Sequence, residues 1–367
     1  MSRTSKAMVL QRPGQFVERE FDVPRVSENE FVLRVELVTI CGGDVIEYTG
    51  GNRKAKYPLL MGHEVVGTVV EIGQCASAER DLVAGDRVIV EPYLRCGRCG
   101  PCVSGHYAFC AEGQVYGVTI PADKPPYLWG GYSQFMYGAP GARTHKVRAD
   151  LSAAAGCMVT VVGNGVRWIR SRGRLRAGET VLVTGLGVQA LASVLVAKRA
   201  GAGCVIVACR EQYLPRHLLA REFGADHVVC IDAGDTGAKA RAAAEIQEIS
   251  AGGAALAVEC TGADSMYSVA ITALAPMGRL VSVGTRGGRP LSVDLDAVVF
   301  KEIDLRGGLG QAGDTELAAK IVNENDAPIG SMVTHRFPLR AAADALDLMM
   351  QGKDDVIHVA LDPWASD

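Results

Sequence analysis

Residues 96–110 read CGRCGPCVSGHYAFC, which places four thiols, Cys96, Cys99, Cys102 and Cys110, in one short lobe. Gly97, Gly100 and Gly105 let so short a segment close on itself. Four soft thiolates suit one tetrahedral zinc ion. A shell of four sulfurs leaves no position open for a substrate, so the expected role is structural. An iron–sulfur cluster is the rival occupant, and four reduced, unligated thiols are the third reading. His106 lies inside the lobe, but four cysteines complete the shell without it. A second chemical motif follows at 181–190, VLVTGLGVQA, where a strand runs into Gly185-x-Gly187-x-x-Ala190 and a helix opens. In that setting Gly185 makes the tight turn, Gly187 lets the backbone approach a pyrophosphate, and Ala190 lets helix and strand pack closely. The N–H groups at the helix start would hold the phosphates of a dinucleotide.

Two further stretches carry a family resemblance: ICGGD at 40–44 and GHEVVGTVVEIG at 62–73. The second resembles the zinc signature of the medium-chain alcohol dehydrogenases. The 96–110 knuckle matches that family's structural-zinc lobe. Trp129-Gly130-Gly131-Tyr132 and Val299–Gly307 resemble its later segments, so the likeness spans nearly the whole chain. The resemblance implies a catalytic zinc on Cys41 and His63. It places the third ligand at Cys157, which lies 157 − 63 = 94 residues beyond the histidine and is the only cysteine or histidine between Lys146 and Gly203. Three protein ligands leave one position open for substrate, as metal catalysis requires. The resemblance also implies that Asp44 orients His63 and that Glu64 sits near the metal and competes for it. Members of the family are generally dimers or tetramers, so a homodimer or homotetramer is expected, with a small alcohol, aldehyde or ketone as substrate.

The sequence departs from the family at the proton relay. Where the family has a serine or threonine two residues after its first cysteine, this chain has Gly43. Where a histidine often follows, it has Ile46. Zinc lowers the pKa of a bound hydroxyl but does not carry the proton away, so a replacement is needed, and Glu47, Tyr48 and Tyr93 are the candidates. The alternative is a different reaction: reduction of an iminium or conjugated C=C bond by NAD(P)H without zinc Lewis-acid catalysis. A third reading is a non-enzymatic protein, since lens crystallins are related to the family; the intact Cys41 and His63 speak against it.

The cofactor itself is read from the strand after the glycine turn. Counting forward from Gly201-Ala202 puts neutral Cys209 and then Arg210 at the ribose position, which favours the extra phosphate of NADP. Counting back from Gly224 puts Glu211 there, which favours NAD. NADP is the reading adopted, with NAD as the alternative. Thr261-Gly262 and Val283-Gly284 end later strands, where open α/β sheets bind ligands.

These groups need elements to position them. Segments such as 31–38 and 87–90 read as strands in a glycine-rich N-terminal part. From about 160 the pattern changes. Strands at 179–184, 204–208, 227–231, 255–260 and 279–283 alternate with helices at 190–199, 216–223, 239–249 and 266–274. That alternation predicts a parallel sheet covered on both faces. A late helix at 339–350 and a strand at 356–361 close the chain. The expected fold is therefore α/β: a GroES-like β-rich catalytic domain over 1–157, with its zinc lobe at 91–112, completed by 299–367, and a doubly wound Rossmann domain over 158–298. The other cysteines (Cys75, Cys204, Cys209, Cys230 and Cys260) are not spaced like ligands. His145, His217, His227, His335 and His358 have no metal-like partners nearby in sequence.

Composition sets the bounds. The 367 residues carry 38 Lys and Arg against 41 Asp and Glu, a net charge of −3, which argues against a general nucleic-acid binder. No apolar run reaches membrane-spanning length, and Met1–Val9 lacks the apolar core of a secretory signal. A cytoplasmic protein is expected. Eleven cysteines in a reducing compartment point to metal binding rather than disulfides.

Overall fold

The computed structural model describes residues 3–52, 55–210, 214–232 and 237–366. The chain divides into two compact units, one of residues 1–160 with 315–367 and the other of residues 161–314.

The first unit is β-rich. Its strands are β1 (Thr4–Arg12), β2 (Gln15–Asp22), β3 (Phe31–Thr39), β4 (Leu59–Leu60), β5 (Glu64–Ile72), β6 (Arg87–Val90), β7 (Phe135–Gly138) and β8 (Thr144–Lys146). The second unit contributes β9 (Thr180–Thr184), β10 (Cys204–Arg210), β11 (His227–Ile231), β12 (Ala254–Glu259), β13 (Leu274–Ser282) and β14 (Asp304–Gly307). The chain then returns to the first unit with β15 (Val333–Pro338) and β16 (His358–Asp362). A sheet β2-β1-β4 and a larger sheet β15-β16-β3-β5-β6-β8, with β7 on β3, enclose the first core. Phe31, Leu33, Val65, Val69, Tyr116 and Tyr132 fill it.

The second unit is one parallel sheet in the order β11-β10-β9-β12-β13-β14. In chain order this is 3-2-1-4-5-6, the doubly wound dinucleotide-binding topology, which reverses between β9 and β12. Its strands read as unbroken apolar runs (VLV, VIVAC, ALAV) because helices cover both faces. The helix Val188–Arg199 shows this: Leu191, Val194, Leu195 and Val196 are all buried. Each such side chain contributes about 1.5–3 kcal/mol.

The units meet the expected order of elements but not the expected boundary. The chain was expected to rejoin the catalytic domain at residue 299. Instead Asp304–Gly307 pairs in parallel with Arg279–Ser282 as the sixth strand of the second unit, and the division falls at 314/315. The upstream division falls at Thr160, inside the helix Ala153–Val166, rather than at 157. Among the described residues, no helix is long and apolar enough to cross a membrane.

Candidate functional site

The four-cysteine lobe assembles as the spacing predicts. The thiols of Cys96, Cys99, Cys102 and Cys110 all lie within 4.8 Å of one another. The lobe aims backbone amides at its own sulfurs: the Cys96 N–H donates to Cys110 Sγ and the Cys99 N–H to Cys96 Sγ, both at 3.4 Å. Backbone donors at Ala111 and Cys102 pull the Cys99 thiol down to about 6, a setting that favours the thiolates a metal needs. The lobe is also tied to a buried carboxylate. Tyr107 donates to Glu91 at 2.5 Å, and His145 and Arg143 reach the other Glu91 oxygen at 2.7 and 3.3 Å. Burial alone would raise the Glu91 carboxyl. The hydrogen bonds from His145 and Tyr107, with the Arg143 charge, hold it below its ordinary value.

A second donor group forms from separate elements. Cys41 stands at the N-terminus of the helix Gly42–Tyr48, and Asp44 in its first turn accepts the Cys41 backbone N–H at 2.9 Å. His63 and Glu64 come from the start of β5. Gly62 just before them has φ +92°, and a Cβ there would meet the Tyr132 ring at 2.5 Å, so only glycine fits. Cys41, His63 and Glu64 offer donor atoms all within 4.8 Å of one another. The sequence reading assigned the third ligand to Cys157, and the structure does not bring it here. Cys157 is fully buried on the helix Ala153–Val166, and its thiol donates to the Leu37 carbonyl at 3.2 Å. Spacing along the chain does not show where a side chain points, and it is Glu64, expected as a competitor, whose carboxylate comes within 4.8 Å of Cys41 and His63.

Surrounding residues orient these donors. Asp44 Oδ1 lies 3.6 Å from His63 Nδ1, which leaves Nε2 as the other ring nitrogen for a metal. Tyr132 donates to Asp44 at 3.4 Å. Glu64 Oε2 accepts from Thr39 at 2.7 Å and lies 2.9 Å from His358 Nε2. Sequence reasoning missed Thr39 and His358, which sit 25 and 294 residues from Glu64 and carry no local signal. Tyr132 is a fully buried core residue, and Trp129 packs against Tyr116 and Tyr137.

The electrostatics of this group call for a cation. Burial pushes the Cys41 thiol well above its ordinary value, and the charges of Glu64 and Asp44 push it further. Burial also raises Asp44 to about 6, against the pull of His63. Asp44 Oδ1 and His63 Nδ1 are buried without a hydrogen bond of ordinary length. A divalent ion among these donors would neutralise the thiolate and carboxylate, so the residues fit a metal with two anionic ligands and one imidazole.

In the second unit, Gly185 takes φ +91° after β9, and its N–H donates to the Ala208 carbonyl of β10 at 2.8 Å. Gly187 caps the helix Val188–Arg199, and a Cβ there would meet nothing within 4 Å. That open backbone is the cradle a pyrophosphate needs. Ala190 is buried against the strands. Thr261-Gly262 and Val283-Gly284 pack so closely that a Cβ on Gly284 would meet the Gly262 nitrogen at 2.2 Å. Glu259, which sequence reasoning passed over just before Thr261-Gly262, organises this end of the sheet. Its buried carboxylate accepts from Thr184, from the Thr261 N–H at 2.8 Å and from the Gly262 N–H at 3.0 Å. Arg210 is exposed at the end of β10. Cys209, expected at the ribose, is fully buried with its thiol 3.3 Å from His217 Nε2, so it offers a ribose no surface. Glu211 lies outside the described residues. Arg216, also missed, is buried and donates to the Leu186 carbonyl of the glycine turn at 3.4 Å.

Comparison with known proteins agrees with this geometry. The family model for the alcohol dehydrogenase GroES-like domain matches residues 27–149, and that for the zinc-binding dehydrogenase matches residues 185–324. A probable alcohol dehydrogenase of Mycobacterium tuberculosis is 34% identical over 369 residues, covering 98% of each chain. The chain belongs to the zinc-type alcohol dehydrogenase family. Human sorbitol dehydrogenase is 29% identical, over 97% of this chain and 96% of its own. The crystal structure of an alcohol dehydrogenase from Thermotoga maritima superposes with a TM-score of 0.88 at 25% identity, covering 98% of this chain and 99% of that one. The α/β fold with a GroES-like and a Rossmann domain is therefore that of the family. The protein is an oxidoreductase that moves a hydride between a nicotinamide cofactor and an alcohol or carbonyl substrate. The iminium or C=C reductase reading supposed a missing Lewis acid, and it gains nothing from a site that keeps its donors.

Proposed function

We propose that the protein is an NADP-dependent alcohol dehydrogenase with a catalytic zinc on Cys41, His63 and Glu64 and a structural zinc on Cys96, Cys99, Cys102 and Cys110. The convergence of Cys41, His63 and Glu64 within 4.8 Å carries this reading. Zinc held there supplies Lewis-acid polarisation of a substrate oxygen, and the nicotinamide supplies the hydride acceptor or donor. The Asp44 carboxylate lies beside the His63 ring, 3.6 Å from Nδ1, and Thr39 and His358 hold the Glu64 carboxylate.

Glu47 takes the place of the missing relay. It is 4% exposed, its Oε1 accepts from Asn52 at 2.7 Å, and its Oε2 is buried without a hydrogen-bond partner. Burial raises its carboxyl above the ordinary value, with a further push from Asp44, against the pull of Asn52 and His63. A carboxylate so poised is suited to accept the hydroxyl proton in oxidation and return it in reduction. Tyr48 instead stacks on Phe16 at 5.6 Å.

Arg210 at the end of β10 supports NADP, as the partner of the ribose 2′-phosphate. A homodimer across the edge strand β14 is supported by the apolar side chains exposed around it: Leu295 at 64%, Val299 at 67% and Phe300 at 84%.

The test is alcohol oxidation with NADP+ and with NAD+ in the wild type, Cys41→Ser and Arg210→Ala. The reading predicts turnover with NADP+ that collapses in Cys41→Ser, and a preference for NADP+ that falls about tenfold in Arg210→Ala. Full turnover in Cys41→Ser would refute the metal assignment, and an unchanged cofactor preference in Arg210→Ala would refute the phosphate assignment.

A further inference from the structure

A third cluster of soft donors lies in the second unit. Cys209 near the end of β10 and Cys230 in β11 are paired neighbours in the parallel ladder. Both side chains point to the sheet face opposite the core that contains Ile206, Ala208, Val229 and Ile231. The helix Leu214–Glu222 brings His217 to that face, with Nε2 3.3 Å from Cys209 Sγ. The donor atoms of Cys209, His217 and Cys230 all lie within 4.8 Å of one another. Donors held about 2.0–2.3 Å from a tetrahedral zinc stand about 3.3–3.8 Å apart, so the group needs little contraction to close on an ion.

We propose that Cys209, His217 and Cys230 form a third metal site, for a soft divalent cation of the zinc class. Two thiolates and a neutral imidazole balance a 2+ charge, which matters because Cys209 is fully buried. The gradient of burial, from Cys209 inside through His217 to exposed Cys230, gives the ion a route in and leaves a fourth position to water. Sequence spacing could not show the site, because its ligands are gathered by strand pairing and a helix crossover rather than by a knuckle.

Its position suggests a clamp. Ala208, one residue before Cys209, accepts the Gly185 N–H, and Arg216, one residue before His217, donates to Leu186. An ion on Cys209 and His217 therefore fixes β10 and the helix Leu214–Glu222 at the two points where they hold the glycine turn.

The test uses the zinc-loaded enzyme with cadmium as the probe. Exposed Cys230 is alkylated with iodoacetamide with and without one added equivalent of cadmium, and labelling is read by peptide mass. Cadmium retained after gel filtration is counted in the wild type and in Cys230→Ser, with His217→Gln as a second variant at a partly exposed position. The proposal predicts that cadmium slows Cys230 alkylation about tenfold or more, because a metal-held thiolate is no longer a free nucleophile. It also predicts that each variant retains one cadmium fewer per chain than the wild type. Unchanged alkylation, or equal cadmium in wild type and variants, would overturn it. So would a Cys209–Cys230 disulfide in protein purified in reducing buffer.

Discussion

The two donor groups of the first unit are built in opposite ways. The knuckle draws its four sulfurs from one stretch of fifteen residues, 96–110, and satisfies them with its own backbone amides. The Cys41–His63–Glu64 group takes its donors from a helix start and a strand start, and its support from Thr39, Tyr132 and His358, which span most of the chain. A closed, locally built shell stabilises a lobe. An open, partly charged shell needs distant residues to hold it, because three ligands and an empty position do not fix themselves. The proposed assignment thus separates stability and reactivity into two sites of the same unit.

Changing a donor of the open group should have the largest effect. His63→Ala is expected to lower turnover about a thousandfold or more and to remove one zinc per chain, while the knuckle keeps its own. Turnover near wild type would collapse the distinction between the two groups. Next comes the carboxylate that ties the knuckle to its unit. Glu91→Gln leaves Arg143 and His145 facing a neutral group and should destabilise the protein by about 3 kcal/mol, read as a lower denaturation midpoint with little change in turnover per folded molecule. The lowered Glu91 pKa fixes the sign of its pH dependence. Its contribution is present above the unfolded carboxylate value and is lost as pH falls through the still lower folded value.

Glu47→Gln should slow alcohol oxidation about a hundredfold. Glu47 must be ionised to accept a proton and its carboxyl is raised, so wild-type oxidation should fall on the acid side through a value above that of an ordinary glutamate. The variant should lose that limb of the pH profile, and an unchanged profile would remove Glu47 from the mechanism. Asp44→Asn, which touches the ligand rather than the metal, is expected to weaken zinc retention about tenfold to a hundredfold, measured by competition with a chelator.

The same contrast explains what the sequence could tell. The knuckle was legible because its ligands are neighbours in the chain. The parallel sheet was legible because buried strands and covering helices leave distinct periods: 227–231 emerges with the bounds read from sequence, as does 87–90 in the antiparallel sheet of the first unit. The N-terminal hairpin of β1 and β2 was not anticipated, since its second strand is largely exposed and reads as polar. The segment 304–307 was misassigned because a four-residue edge strand with an exposed pattern carries almost no signal of its sheet. The sequence placed Glu64 near the metal as a competitor rather than as a donor for a related reason. Glu64 follows His63 directly, and only the fold shows that the donor atoms of both come within 4.8 Å of Cys41. Cys157 offered the right residue type at a plausible distance, but burial directs its thiol to the Leu37 carbonyl.

That choice between Glu64 and Cys157 is the most direct test of the account. Zinc per chain and turnover should be measured in Glu64→Gln and Cys157→Ala beside the wild type. The structure predicts that Cys157→Ala keeps the wild-type zinc content and turns over within about twofold of it, a small buried substitution away from the chemistry. Glu64→Gln should lose one zinc per chain and nearly all turnover. The reverse result, zinc lost from Cys157→Ala and kept in Glu64→Gln, would contradict the account.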